Sequence, residues 1–190
     1  MFIQTENTPN PATLKFLPGQ TVMRSGSADF PNAGASEASP LAARIFQADG
    51  VVGVFLGPDF ISVSKNDTVD WGHVKPAILG AIMEHFQSGD PVMAGDAGED
   101  DDGHAAHDGP DAMIVGQIKE LLDTRVRPAV AQDGGDITFH GFDSGVVYLT
   151  MKGACAGCPS STMTLKHGIE NLLRHYIPEV TEVRPVGVEF

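Results

Sequence analysis

The chain has 190 residues, enough for one large or two small domains, and its 42% hydrophobic and 19% charged residues are those of a globular protein with a core. A formal net charge of -13 and a pI near 4.7 argue against an electrostatic grip on phosphate backbones, so no nucleic-acid partner is expected. No apolar run approaches the roughly 20 residues that cross a bilayer, and the start Met1-Phe2-Ile3-Gln4-Thr5-Glu6 carries no targeting pattern, so no membrane is expected and the chain reads as cytoplasmic or as an already processed mature form.

Residues 1–93 read as one small α/β domain. Phe2-Ile3-Gln4-Thr5 and Leu14-Lys15-Phe16-Leu17 are short strand candidates flanking the Pro/Asn-rich Asn7-Thr8-Pro9-Asn10-Pro11, and Pro18-Gly19 closes the second. Ser25 to Ser39 is rich in Gly, Ala and Ser and reads as a loop. Leu41 to Asp49 carries a short helical pattern. Val51 to Leu56 and Phe60 to Val63 then form a hairpin about Gly57-Pro58-Asp59. From Trp71, the residues Val74, Ile78, Ile82 and Phe86 recur every four, with Leu79 and Ala81 widening the face, and Gly89-Asp90-Pro91 ends the helix. This stripe is core packing. His73 and His85 have no second ligand within sequence reach and read as packing or surface residues, and Trp71 and the Pro/Asn-rich loop as core and turn residues before contact sites.

Residues 94–110 form an acidic, flexible linker: Asp96, Glu99, Asp100, Asp101, Asp102 and Asp108 occur without a Lys or Arg. His104 and His107 have a metal-like spacing, but nothing in this context fixes their geometry.

Residues 111–190 form a second α/β (α+β) domain. Ile114, Ile118, Leu121, Leu122 and Val126 mark an amphipathic helix, which Arg127-Pro128 should interrupt because proline brings no N–H and restricts the residue before it. Asp133-Gly134-Gly135-Asp136 is a turn. Ile137 to Phe142 and Val146 to Met151 alternate as strands around Asp143-Ser144-Gly145. The chain then reaches Gly153-Ala154-Cys155-Ala156-Gly157-Cys158-Pro159-Ser160-Ser161, which holds both of its cysteines. Pro159, Ser160 and Ser161 suit a helix start, Leu165, Ile169, Leu172, Leu173 and Tyr176 mark the buried face of the helix that follows, and Thr181 to Arg184 is a last strand after Pro178. Each domain is thus a short sheet packed with helices.

Two cysteines are too few for a secreted disulfide framework and fit a reducing compartment. Their C-x-x-C spacing in a Gly/Pro turn admits an iron-sulfur site shared between two chains, a dithiol redox centre using Cys155 to attack and Cys158 to resolve, or a zinc clip. Two buried thiols that only pack are the plain alternative. A helix start beside the sulfurs should favour thiolates, which serves ligation and redox chemistry alike. Zinc or a cubane cluster wants four ligands, so two chains meeting across a two-fold axis would complete a site that one chain half supplies. Thioredoxin-like sites usually follow a βαβ unit and place proline between the cysteines; here Ala156 and Gly157 lie between them.

The segments Gly134-Gly135-Asp136, Gly153 to Thr162 and Leu165-Lys166-His167-Gly168-Ile169-Glu170 resemble the NifU C-terminal (Nfu) domain. Phe2 to Pro11, Leu14-Lys15-Phe16 and Gly57-Pro58-Asp59-Phe60 resemble the N-terminal domain that accompanies it in two-domain Nfu proteins of mitochondria and bacteria. The resemblance implies a non-enzymatic scaffold or carrier that holds a 4Fe-4S cluster between two protomers through Cys155 and Cys158 of each. It implies a homodimer when cluster-bound, and transfer to apo iron-sulfur client proteins after loading from upstream donors. The compartment would be a bacterial cytoplasm, or the mitochondrial matrix for a processed chain. The first domain would choose partners.

Overall fold

A computed structural model describes residues 1–95, 109–156 and 159–186. The acidic run from Asp96 to Asp108, with His104 and His107, lies outside the described residues, as do Gly157 and Cys158. The chain divides into two compact units between Asp101 and Asp102, and both are α+β.

The first unit is built on a five-stranded antiparallel sheet. Its strands are β1 (Gln4–Asn7), β2 (Thr13–Leu17), β3 (Ala28–Phe30), β4 (Val51–Leu56) and β5 (Ile61–Lys65), in the order β1-β2-β5-β4-β3. Alternation puts Leu14, Phe16, Val54, Leu56, Ile61 and Val63 on one face. Helices α1 (Pro40–Ile45) and α2 (Trp71–Ser88) cover that face with Leu41, Ile45, Val74, Ile78 and Ile82. Burying these aliphatic side chains stabilises the unit by about 1.5–3 kcal/mol each relative to exposure. Helix α2 ends at Gly89 in the left-handed conformation (φ 73°).

The stretch expected as a loop, Ser25 to Ser39, is ordered in two pieces. Ala28–Phe30 pairs with β4 and buries Phe30, and Ala33–Ala38 is a 3-10 helix whose first turn Asn32 caps through a hydrogen bond from Ala35 N. Three residues among glycines and serines carry no periodicity, so only pairing with β4 makes a strand there. Ser39 then caps α1 by accepting from Ala42 N at 3.1 Å, with Pro40 at the first helical position. Trp71 packs partly buried against the core, and its indole N–H donates to Pro11 O at 3.2 Å, tying the start of α2 to the Pro/Asn-rich loop.

The second unit runs α3 (Ala112–Leu121), a π-turn (Leu122–Val126), α4 (Arg127–Gln132), β6 (Gly135–Asp143), β7 (Val146–Gly153), α5 (Pro159–Tyr176) and β8 (Glu182–Val186). Strands β6 and β7 form an antiparallel hairpin, and β8 lies parallel to β7 after the α5 crossover. The hairpin turn has two positive φ angles, Ser144 at 50° and Gly145 at 83°, the handedness that matches strand twist. Ile118, Leu122, Val126, Phe139, Leu149, Leu173 and Val183 centre the core.

Pro128 does not interrupt the helix as expected. The backbone widens so that Arg127 N–H donates to Leu122 O, five residues back, and the chain stays helical through Gln132. The wider turn makes room for a proline ring that an α-turn would drive into the carbonyl of Thr124. Continued helix buries Val130 along with Val115, whereas Ile114 and Leu121 are only partly buried. Tyr176, expected on the buried face of α5, is 48% exposed with Arg125 stacked 5.2 Å from its ring; Ile177 and Val180 fill the core there instead.

Candidate functional site

Strand β7 ends at Gly153, whose φ of 67° turns the chain out of the sheet. Ala154 and Cys155 follow, both buried, and Ala156 N closes the turn on Gly153 O at 3.1 Å. Helix α5 starts three residues later at Pro159. The structure therefore places Cys155 where the sequence put it, between a strand end and a helix start. Its predicted companion Cys158 is outside the described residues.

The N-terminal end of β6 forms the wall behind this turn. Gly134, with φ 80°, presents its carbonyl to Ala154 N at 3.1 Å, and Gly135 pairs with Gly153 across the sheet. Gly135 has no room for a side chain: a Cβ there would lie 2.5 Å from Cys155 Sγ, 2.8 Å from Lys152 O and 3.1 Å from Cys155 N. The sulfur thus rests against a bare Cα. From the helix side, Thr162 Oγ1 donates to Cys155 O at 2.9 Å within the buried interior. Asp136 is buried, and its carboxylate is forked by Arg127, Nε to Oδ1 and Nη2 to Oδ2, each at 2.9 Å. Arg127 Nη1 also donates to Asp123 Oδ1 at 3.0 Å. Burial alone would lower the Arg127 pKa, but the hydrogen bonds and charges of Asp136 and Asp123 raise it above its ordinary value.

Cys155 is a free thiol, 6% exposed. Burial pushes its pKa up to about 12, helped by the nearby carboxylates of Asp133 and Asp136. This corrects the expectation that the helix start makes the thiolate easy to form: in this state desolvation outweighs it. A raised pKa favours the protonated thiol, the form that is neither nucleophile nor metal ligand. A metal would have to displace the proton. The donor itself, a free cysteine sulfur, suits a soft metal or an iron-sulfur cluster.

Sequence reasoning singled out Gly134-Gly135-Asp136 only as a turn and part of a resemblance, and it noted Arg127 only as the residue before proline. Neither the contact of Gly134 and Gly135 with the cysteine turn nor the fork of Arg127 on Asp136 was read from sequence, because the first needs the β6–β7 register and the second the helix that continues past Pro128. Thr162 carried no signal beyond the resemblance. Among the described residues no group of three or more His, Cys, Asp or Glu side chains could hold a metal, and no helix is long and apolar enough to cross a membrane. His73 is exposed, and His85 is fully buried with an edge-on contact to Phe86, as expected of surface and packing residues.

Residues 3–89 match the family described as scaffold protein Nfu/NifU N terminal, and residues 118–184 match the NifU-like domain. The chain is 53% identical over 189 residues to NifU-like protein 4, mitochondrial, of Arabidopsis thaliana, covering 96% of this chain and 65% of the relative. It is 48% identical over 192 residues to NFU1 iron-sulfur cluster scaffold homolog, mitochondrial, of Homo sapiens, covering 98% of this chain and 72% of the relative. The chain thus spans about two thirds of the length of these relatives. A solution structure of a NifU-like protein from Saccharomyces cerevisiae aligns at 30% identity and a TM-score of 0.45, over 50% of this chain and 85% of that one.

Proposed function

The chain belongs to the NifU-like (Nfu) iron-sulfur scaffold family, and from that membership we propose that it is a carrier that holds a 4Fe-4S cluster between two copies of itself and passes it to apo-proteins. Cys155 and Cys158 of each copy are the ligands. The observation that carries this reading is the place of Cys155: a free thiol on the turn between β7 and α5, in a chain with two cysteines in all. A cubane needs about four thiolates, so one chain supplies half. A cluster held by two ligands from each subunit is opened when the subunits part, which suits cargo better than a resident group.

The division of labour follows the family. Residues 111–190 hold the cluster and residues 1–93 recognise upstream donors and clients. The relatives cited carry mitochondrial in their names, which supports the mitochondrial matrix; a bacterial cytoplasm meets the same need for reduced thiols. Membership in a scaffold family does not favour the dithiol oxidoreductase alternative.

Anaerobic reconstitution with ferrous iron and sulfide tests the reading. The expected product is brown, with about four iron and four sulfide per two chains, and Cys155→Ser or Cys158→Ser abolishes it. A colourless protein that retains tightly bound zinc would overturn it.

A further inference from the structure

If Cys155 is half of a cluster site, something must decide where its sulfur sits before loading. The wall formed by residues 134–136 touches the cysteine turn through the Gly134 O to Ala154 N hydrogen bond, the Gly135–Gly153 pairing and the sulfur lying on Gly135. Two of its three residues are glycines, held through their backbone alone, so the side-chain anchor of the wall is its third residue, Asp136. Both carboxylate oxygens are taken by Arg127, and Oδ1 also accepts from Ile137 N at 2.8 Å. Arg127 is the first residue of α4, directly after the π-turn. A two-pronged guanidinium fixes direction as well as charge, which a lysine would not. The fork therefore ties a packed helix to the strand position next to Gly135, the residue against which the Cys155 sulfur lies.

We propose that Arg127 is a positioning residue for the cysteine turn: through its fork on Asp136 it holds the 134–136 wall and keeps the Cys155 sulfur in its inward place until a cluster is loaded. The proposal rests on the reading of Cys155 as a ligand. The same guanidinium's contact with Asp123 joins two residues of the helix and does not touch the wall.

The test uses the 190-residue, iron-free chain carrying Cys158→Ser, so that Cys155 is its only thiol. Alkylation by iodoacetamide is followed by mass under native conditions, with a thermal melt for each variant. Arg127→Gln and Arg127→Lys are expected to speed alkylation at least about tenfold, the response of a locally opened segment. Asp123→Asn should change it by less than about twofold, since it spares the wall. Arg127→Gln also strands a buried carboxylate, so the pair Arg127→Gln/Asp136→Asn is measured beside it, and because Asp136 also raises the Cys155 pKa rates are taken across pH and compared per thiolate: the melting temperature should recover while alkylation per thiolate stays fast. Should Arg127→Gln fail to fold, Arg127→Lys and the paired variant carry the comparison. Unchanged rates in the folded Arg127 variants, equal acceleration by Asp123→Asn, or a return to the slow rate per thiolate in the paired variant would each overturn the proposal. No iron enters this assay, so its failure is distinct from failure of the cluster reading.

Discussion

Gly135→Ala puts a number on the packing behind Cys155. The added Cβ would sit 2.5 Å from the sulfur and 2.8 Å from Lys152 O. Carbon and its neighbours rest near 3.5–4.0 Å, so the gap must open by about 1 Å. The sulfur can move outward by rotation, but Lys152 O is backbone within β7, opposite Asp136 in the ladder. Overpacking of this kind costs about 1–3 kcal/mol, which lowers the melting temperature of a domain this size by about 4–8 °C for each kcal/mol. Circular dichroism melts and urea titrations of wild type, Gly135→Ala, Cys155→Ala and the double variant form a cycle that separates the two clashes. With the sulfur removed, Gly135→Ala should cost about 1 kcal/mol less, the remainder being the backbone of Lys152 O and residue 155 N. Equal costs in both backgrounds would mean that the sulfur does not lie on Gly135. No cost in either would refute the wall altogether.

His85 is buried with no hydrogen-bond partner for either ring nitrogen among the described residues, and burial, then the Arg44 charge, lower its pKa below 6.5 against a smaller opposing effect of Asp90. A depressed folded-state pKa means that the unfolded chain takes up the proton first, so this stability is present above about pH 6.5 and is lost as pH falls through the folded-state value. Melts of the first unit between pH 7.5 and pH 5 should show that loss, and His85→Leu should blunt it; an identical loss in the variant would refute the assignment. Ser144 holds φ 50° in the hairpin turn, so Ser144→Asn, which tolerates that region better, is expected to stabilise the second unit by about 0.5 kcal/mol. A lower urea midpoint would contradict it.

What could be read without coordinates followed periodicity and turn chemistry. The α2 stripe, the two hairpins, the placing of Cys155 between strand and helix and the strand after Pro178 all rest on local patterns that the fold keeps. The misses share one cause, which is that distant residues decide. Ala28–Phe30 is a strand only because β4 offers an edge, Pro128 stays in helix only because the backbone widens before it, and Tyr176 faces outward because Ile177 and Val180 fill the core. The same holds at the site: Cys155 reads as a ready thiolate from its own neighbourhood, whereas burial first, then the carboxylates of Asp133 and Asp136, push its pKa up.

Sedimentation velocity of the reconstituted chain, recorded at the visible absorption of the cluster, tests most directly whether the site is shared. The absorbing species should have twice the 20.0 kDa mass of the chain and carry about four iron, and stripping the iron should remove the absorbing boundary. Absorbance that sediments at the mass of a single chain with its iron in place would contradict the account.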